Sequence, residues 1–213
     1  MEGLYINLDK RTDRREHFEK NIIQKYPFFS NITRMSAIEH QNGNIGRIYS
    51  HIKALETLSS IQTPYVAILE DDFMIFNEEE EHLHNFFQDF EKIKHSDKWK
   101  VIPLTPRGIT VIEKNEMTQN GFKRIRANET TTGYIIKKEM IPILLDTLRD
   151  SVYLQLNNTD ISTSSMDQYW KPLQVKYHFY YYLKIFGGQL PGWSNIENRM
   201  IDYNDRFRKQ PEY

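Results

Sequence analysis

The stretch YVAILEDDFMIF, residues 65–76, places three consecutive acids inside an apolar run. Tyr65–Leu69 predicts a buried strand, and Phe73–Phe76 keeps the chain apolar beyond the acids. In open α/β sheets, ligands bind at the carboxyl ends of the strands. The acids Glu70–Asp72 therefore occupy a strand end at which we expect a ligand to bind.

Around this stretch, short apolar segments alternate with amphipathic ones. We predict strands at Leu4–Leu8, Phe29–Ala37 and Tyr65–Leu69, and helices at Arg11–Lys25, Ile45–Ile61 and Glu78–Ile93. In the helical segments, apolar residues recur every three or four positions. This alternation predicts an α/β fold whose central sheet is Rossmann-like, mainly parallel and flanked by helices.

The second half of the chain has a less regular pattern. We predict strands at Lys100–Leu104, Gly121–Arg126, Gly133–Ile136 and Val175–Phe186, a helix at Lys138–Leu148, and a polar excursion over Thr105–Asn120. After Gly187 and Gly188 the chain is polar. We expect this tail to wrap the surface or to close over the site.

Length and composition exclude several classes of protein. The 213 residues suit one large domain, or one domain with a lobe. The net charge of −1 gives no global attraction to nucleic acid, and the lack of cysteine excludes disulfide scaffolds and thiolate metal sites. With neither a signal-peptide pattern nor an apolar run of spanning length, we expect a cytoplasmic protein without a membrane span. Its end at Gln210–Tyr213 is compatible with a whole protein and with a piece of a longer one.

The three acids favour a metal site. Adjacent carboxylates repel one another unless a cation neutralises them, and Mg²⁺ and Mn²⁺ prefer carboxylate oxygens. Asp72 is the first candidate ligand and Asp71 the second, whereas Glu70 alternates away from Asp71 and is expected to be structural. A solvated turn is the alternative, but the apolar run Phe73–Phe76 disfavours it.

The segment Tyr5–Arg15, YINLDKRTDRR, runs from a predicted strand directly into a charged turn. One interpretation is a nucleotide pocket, in which Asn7 and the backbone hold a base and arginines bind phosphate oxygens. The other is a solvated first helical turn with internal ion pairs. Because this segment and the acids both follow predicted strands, we expect them to face one crevice.

Two further segments carry candidate polar groups. Gly43–Gly46 permits a tight turn into a helix that carries Ser50 and His51, for which ligand contact and a buried hydrogen bond both remain open. Asp167 lies in an otherwise uncharged stretch three residues before Trp170. It is either a helix-capping acid or a general base beside an aromatic platform for a sugar.

These segments, in order, resemble the lipooligosaccharide and procollagen galactosyltransferase family. The resemblance rests on Tyr5–Arg15, on Gly43–Gly46 with Ser50-His51, and on Ile68–Asp72. It continues more weakly through Thr132–Ile136, Met166-Asp167, Gly188-Gln189 and Ser194–Ile196. It implies a single GT-A domain over residues 1–213, with a nucleotide-sugar-binding half at 1–104 and an acceptor-binding half at 105–213.

The resemblance also implies site residues. In an Asp-x-Asp element the metal, Mn²⁺ or Mg²⁺, bridges the two phosphates of a UDP-sugar; here Glu70 takes the first position, which favours Asp72, with Asp71, as ligand. The implied donor-nucleotide residues are Asn7, Leu8, Asp9, Arg11, Arg15, Ser50, His51 and Asp71. Asp167 matches the family's later acid and is the candidate base. Trp170 and Gln189 are the candidates for binding the acceptor or the sugar.

The implied reaction is transfer of a hexose or deoxyhexose from a UDP-sugar to a glycan or glycoprotein acceptor. The chain also resembles glycosyltransferase domains of chlorella viruses that build capsid glycans, which implies a viral capsid glycoprotein as one acceptor and the host cytoplasm as its location. A nucleotidyltransferase is an alternative, but Asp9–Asp13 lacks the glycines of a phosphate loop. A non-catalytic nucleotide- or glycan-binding module is another.

Overall fold

The computed structural model describes residues 1–112, 120–157, 160–194 and 198–208. Its strands are β1 Gly3–Asn7, β2 Ile32–Ser36, β3 Tyr65–Glu70, β4 Phe73–Ile75, β5 Val101–Pro103, β6 Arg107–Ile112, β7 Phe122–Glu129, β8 Gly133–Lys137, β9 Phe179–Tyr182, β10 Gly187–Gln189, β11 Gly192–Ser194 and β12 Arg199–Ile201. Its helices are α1 Thr12–Phe18, α2 Gly43–Ser59, α3 Glu80–Ile93, α4 Ile141–Leu156, α5 Ile161–Ser164, α6 Met166–Tyr169, α7 Lys171–Lys176 and α8 Asn204–Arg208. A π-helical turn at Glu19–Ile23 extends α1, and 3₁₀ turns lie at Pro27–Phe29, Asn77–Glu79 and Lys138–Met140.

The central sheet has the strand order β2-β1-β3-β8-β5-β9-β7-β6. The pairings β1–β2, β1–β3 and β5–β9 are parallel, while β8 and β7 run antiparallel to both of their neighbours. Six of the eight described strands therefore point in one direction, and the predicted α/β class with a mainly parallel sheet is confirmed. Because β3 pairs with β8, strands from both halves of the chain form one sheet.

Helices cover both faces of this sheet, because side chains alternate along its buried strands. Leu4 and Ile6 of β1 pack in the cluster that contains the apolar faces of α2 and α4. Tyr5 points the opposite way, into an aromatic-rich cluster with Phe18 of α1 and Phe86 of α3. The site must therefore lie at an end of the strands, where neither helical layer covers the sheet.

The register of β1 against β3 fixes where the acids fall. Ile6 pairs with Glu70, and the backbone N–H of Asp71 donates to the carbonyl of Ile6 at 3.0 Å. The carboxyl ends of the two strands thus lie side by side. As the sequence predicts, the turn after β1 and the acids after β3 share one edge of the sheet.

The C-terminal tail folds back over this edge. β10 pairs antiparallel with β4, and the backbone N–H of Leu190 donates to the carbonyl of Asp72 at 2.6 Å. A Cβ at Gly188 would lie 2.5 Å from the ring of Phe76, so only glycine permits this approach. Of the two placements expected for the tail, closing over the acids is the one observed within the described residues.

Three local predictions were wrong or incomplete. β6 occupies part of the predicted polar excursion, of which residues 113–119 lie outside the described residues. Among the described strands β6 pairs with β7 alone, and such an edge strand needs no continuous apolar pattern. Val175 lies in α7 and not in a strand, because Pro172 in the first turn favours a helix start. The strand predicted from Phe29 begins only at Ile32, after a 3₁₀ turn that starts at Pro27.

None of the helices in the described ranges is both long and apolar enough to cross a membrane.

Candidate active site

A cavity of about 650 Å³ opens at the carboxyl ends of β1 and β3. Its walls come from the turn into α1, the loop after β2, the start of α2, the start of β6, the loop between β7 and β8, α6 and the tail. Residues of both halves of the chain line it, among them Arg14, Asp72, Asp167 and Gln189. The cavity therefore brings together segments that the sequence places far apart.

Asp71 and Asp72 form the floor of the cavity, and their carboxylates are held from three sides. Asp71 Oδ2 accepts from Asn7 Nδ2 at 2.7 Å, and Asp72 Oδ2 accepts from Gln189 Nε2 at 2.8 Å. Arg14 Nη1 donates to Asp71 Oδ1 at 3.1 Å and to Asp72 Oδ2 at 3.2 Å. Both acids are buried, at 8% and 5% exposure, so these contacts largely replace water.

One oxygen of the acid pair is left without a partner. Asp72 Oδ1 is buried and accepts no hydrogen bond from the described residues. Burial, followed by the negative charge of Glu70, raises the pKa of Asp72 to about 7, although Arg14 acts in the opposite direction. Burial also raises the pKa of Asp71. The pair is thus under-neutralised, and an additional positive charge would stabilise it.

The acid pair fits a divalent cation that keeps open positions for a ligand. Within the described part of the chain, no group of three or more acidic, histidine or cysteine side chains has the arrangement of a complete metal site. Two carboxylates with one partnerless buried oxygen suit Mg²⁺ or Mn²⁺, which bind one or two carboxylates and take their other ligands from phosphates and water. Asp72 and Asp71 are the residues that would hold such an ion.

Glu70, which also lines the cavity, belongs to a buried hydrogen-bond network. Its Oε1 lies 3.1 Å from His51 Nε2 and accepts from Thr131 Oγ1 at 2.9 Å, while His51 Nδ1 lies 3.0 Å from the hydroxyl of Tyr134. Burial disfavours the charged form of Glu70, but the His51 contact and the charge of Arg47 outweigh it and hold the pKa at about 2. This environment matches the structural role expected for Glu70.

Replacing Glu70 with alanine is expected to lower the free energy of unfolding by about 1–3 kcal/mol, because buried donors on His51 and Thr131 lose their acceptor. Urea unfolding followed by circular dichroism measures the change. Glu70→Gln serves as the matched variant and should cost less, since its amide oxygen still accepts one bond. Unchanged stability in Glu70→Ala would show that the network contributes nothing to the fold.

The predicted donor residues of the first half divide into two groups. Leu8 and Arg11 line the cavity, whereas Asn7 is buried outside its lining and donates to Asp71 instead of facing a nucleotide. Asp9 and Arg15 do not line it, which contradicts their predicted role: Asp9 is exposed and pairs with Arg34, and Arg15 is bound to Glu19. A contact four residues along the helix holds Arg15 on the surface of α1.

Ser50 and His51 lie on α2 and line the cavity from below. His51 is fully buried and both ring nitrogens have partners, so of the two interpretations the buried hydrogen bond is the one observed. Ser50 Oγ accepts from the backbone N–H of Ile38 at 2.8 Å and donates to the carbonyl of Gly46. It thereby fixes the loop that forms one wall of the cavity.

Asp167 faces the cavity from α6, between two arginines. Its Oδ1 accepts from Ser165 Oγ at 2.8 Å. Arg47 Nη2 lies 3.7 Å from Oδ1 and Arg107 Nη2 lies 3.9 Å from Oδ2, both beyond hydrogen-bond distance. The guanidinium of Arg107 stacks over Tyr203 with its carbon 4.4 Å from the ring centroid. The carboxylate is therefore electrostatically supported but open to a further hydrogen-bond donor.

The structure contradicts the prediction that Trp170 stacks on a sugar. Its ring has 0% exposure and packs edge-on against Tyr134 and Phe179. No face of the indole is open to a ligand.

Gln189, in contrast, lines the cavity and contacts Asp72. The Ser194–Ile196 segment is described only at Ser194, which also lines the cavity; the other two residues lie outside the described ranges.

Sequence reasoning missed Arg14, Arg47 and Arg107. The helical period gives only a partial signal for Arg14: it lies four residues before Phe18, the buried residue of α1, but Arg15, three residues before Phe18, fits the same pattern. Arg47 lies next to the buried Ile48 on α2. The apolar periodicity of the helix does not tell whether a side chain at that position faces the site or the solvent. Arg107 lies on the edge strand that the sequence did not reveal.

The fold is similar to solved structures of low sequence identity. Mannose-1-phosphate geranyltransferase from Thermus thermophilus is 10% identical, with a TM-score of 0.42 over 86% of this chain and 59% of that one. A glycosyltransferase involved in glycosylation of the major capsid of PBCV-1 is 13% identical, with a TM-score of 0.42 over 84% and 91%. UDP-glucose pyrophosphorylase complexed with UDP-glucose is 12% identical, with a TM-score of 0.45 over 86% and 73%.

The sequence itself gives the family. Among curated proteins none matches the chain. The model of glycosyltransferase family 25, described as an LPS biosynthesis protein, matches residues 1–162. That range holds the turn into α1, the start of α2 and the acids after β3. The chain therefore belongs to glycosyltransferase family 25.

Proposed function

We propose that this glycosyltransferase is metal-dependent and moves a hexose or deoxyhexose from a UDP-sugar to a glycan acceptor. The observation that carries the proposal is the buried Asp71–Asp72 pair, whose partnerless Oδ1 leaves a need for positive charge at the floor of the cavity. A divalent cation bound there supplies Lewis-acid stabilisation of the leaving diphosphate. Asn7 and Gln189 hold the two carboxylates in place for it.

The charge of the cavity suits a metal-bound diphosphate. Among the described residues, equal numbers of basic and acidic side chains line it: Lys10, Arg11, Arg14, Arg47 and Arg107 against Glu39, Glu70, Asp71, Asp72 and Asp167. A nucleoside diphosphate that carries a divalent cation has a small net charge, whereas a bare polyanion would require a basic excess. We therefore expect the nucleotide and the cation to bind together.

We assign donor binding to residues 1–104 and acceptor binding to residues 105–213 of one domain. Leu8 and Arg11, from the first half, line the same cavity as the acid pair. Asp167 and Arg107 come from the later half and line the same cavity. An acceptor at that position would lie within reach of a donor sugar held at the acids.

Asp167 is the proposed base. The acceptor hydroxyl donates its hydrogen bond to the Asp167 carboxylate, its oxygen forms a bond to the anomeric carbon, and the bond to the diphosphate oxygen breaks. The proton passes to Asp167 and the electron pair leaves with the diphosphate. These steps invert the configuration at the anomeric carbon. The configuration of the product, read by NMR, therefore tests the role of Asp167.

Asp167→Asn is expected to reduce kcat by about 10²–10⁴-fold, because the amide keeps the shape but cannot accept the proton. UDP affinity should stay unchanged, because the proposal places the nucleotide at the Asp71–Asp72 pair and gives Asp167 a role toward the acceptor alone. The assay is transfer from a panel of UDP-sugars with Mn²⁺ to neutral and anionic glycosides and to capsid glycopeptides. Full activity of the variant, or a product that retains configuration, would remove Asp167 as the base.

The test of the function as a whole is turnover. UDP release from one UDP-sugar, dependent on both Mn²⁺ and a glycan acceptor, is the expected result. Saturable binding of UDP or of a glycan without any transfer would instead identify a binding module. Release of diphosphate from a nucleoside triphosphate and a sugar phosphate would identify a nucleotidyltransferase.

A further inference from the structure

The guanidinium of Arg14 joins three parts of the site. Nη1 contacts both Asp71 and Asp72, and Nη2 donates to the backbone carbonyl of Trp193 on β11 at 3.1 Å. The side chain is only 13% exposed, so these contacts are partly shielded from solvent. Arg14 therefore already provides one positive charge to the acid pair, from the face that opens into the cavity.

We propose that Arg14 competes with the divalent cation for the Asp71–Asp72 pair and transfers to the diphosphate when cation and nucleotide bind together. Arg14 is then the residue that couples the two binding events. This inference rests on the proposed function, which supplies the identity of the two ligands, a divalent cation and a nucleoside diphosphate.

The carboxylate oxygens show why the two cations compete. Asp71 Oδ2 is engaged by Asn7, Asp71 Oδ1 by Arg14, and Asp72 Oδ2 by Arg14 and Gln189. Among the described contacts, Asp72 Oδ1 is the one oxygen of the pair without a partner. A cation that is held by both acids must take at least one oxygen that a protein donor now contacts, and the Arg14 contacts are the longest of these. Like charges at that separation also repel, so the guanidinium has to withdraw.

The displaced guanidinium has a better partner in the diphosphate. Arginine presents a planar fork of donors that matches phosphate oxygens in a bidentate arrangement. Arg14 lines the cavity from α1, next to the acids, so a short movement of its side chain reaches an anion bound there. When the cation binds alone, the Arg14 contacts with the acids are lost. When the cation binds together with the diphosphate, new contacts between Arg14 and the phosphate oxygens replace them. The second ligand therefore binds more tightly once the first is present.

The experiment measures Mn²⁺ affinity by electron paramagnetic resonance, with and without UDP, in the chain of 213 residues. In Arg14→Ala, Mn²⁺ alone should bind about tenfold more tightly, because its competitor is gone, and UDP at saturating Mn²⁺ should bind at least about tenfold more weakly. The factor by which UDP tightens Mn²⁺ binding should fall at least about tenfold. Arg14→Lys, which keeps the charge and loses the fork, should fall between.

Arg15 provides the matched control, since it is the adjacent arginine and is bound on the surface to Glu19. Arg15→Ala should leave both affinities within about twofold of the wild type. The proposal is overturned if Arg14→Ala weakens Mn²⁺ binding, which would make Arg14 a brace for the acids. It is also overturned if Arg15→Ala gives the same changes as Arg14→Ala. Failure of the wild type and of every variant to bind Mn²⁺, with or without UDP, overturns it as well. If Mn²⁺ and UDP binding are coupled as expected but no sugar is transferred, the proposed function is rejected and the inference about Arg14 stands.

Discussion

Asp72→Ala is expected to abolish Mn²⁺-dependent UDP binding and to reduce kcat/KM on the order of 10³-fold or more, the scale on which removal of a main electrostatic stabiliser acts. Asp72 has the buried carboxylate oxygen that lacks a partner among the described residues. It is also the first candidate for the metal ligand. Without it, a cation at the site keeps one carboxylate, Asp71. Thermal unfolding with UDP, with and without Mn²⁺, measures the loss of binding, and UDP release measures the loss of activity.

The same residue should show opposite effects on binding and on stability. Asp72 is buried and its charged form is disfavoured, so Asp72→Asn, which removes the charge, should unfold at or above the temperature of the wild type. Asp97→Asn is the control, because its side chain is fully exposed near Lys137 and should change neither property. A Mn²⁺-dependent UDP shift that survives in Asp72→Asn would contradict the assignment of Asp72 as a metal ligand.

Trp170→Ala is expected to lower the free energy of unfolding by about 3–5 kcal/mol, the usual cost of truncating a buried aromatic ring to alanine. The ring fills the core between Tyr134 and Phe179, and the alanine leaves a cavity there. Trp170→Phe should cost much less, because it keeps an aromatic ring and removes an indole Nε1 that is buried without a partner among the described residues. Urea unfolding measures both.

Trp193 is the control for this series, since it is 46% exposed and its loss should change stability by no more than about 0.5 kcal/mol. The two Trp170 variants also test whether the ring contacts a sugar. If Trp170→Phe unfolds like the wild type but raises KM for the acceptor severalfold, the ring contacts the acceptor after all. If KM is unchanged and only stability falls in Trp170→Ala, the residue is structural.

Much of the fold could be predicted from local patterns. The segments around β1, α2, β3 and α3 were found because apolar periodicity and strand length are set by neighbours in sequence. The acids at the end of β3 were placed correctly for the same reason, since strand alternation and a following apolar run locate them without any distant contact. β6 escaped because an edge strand needs no continuous apolar pattern.

The sequence by itself determined that strands and helices alternate, that three acids end a buried strand, and that the chain belongs with glycosyltransferases of family 25. Only the tertiary structure decided which side chains reach the site: Arg14 and not the adjacent Arg15, and Gln189 and not Trp170. It also brought Arg47 and Arg107 to Asp167. The physical reason is that a side chain's burial and partners are set by segments far away in the chain, whose packing no local pattern records.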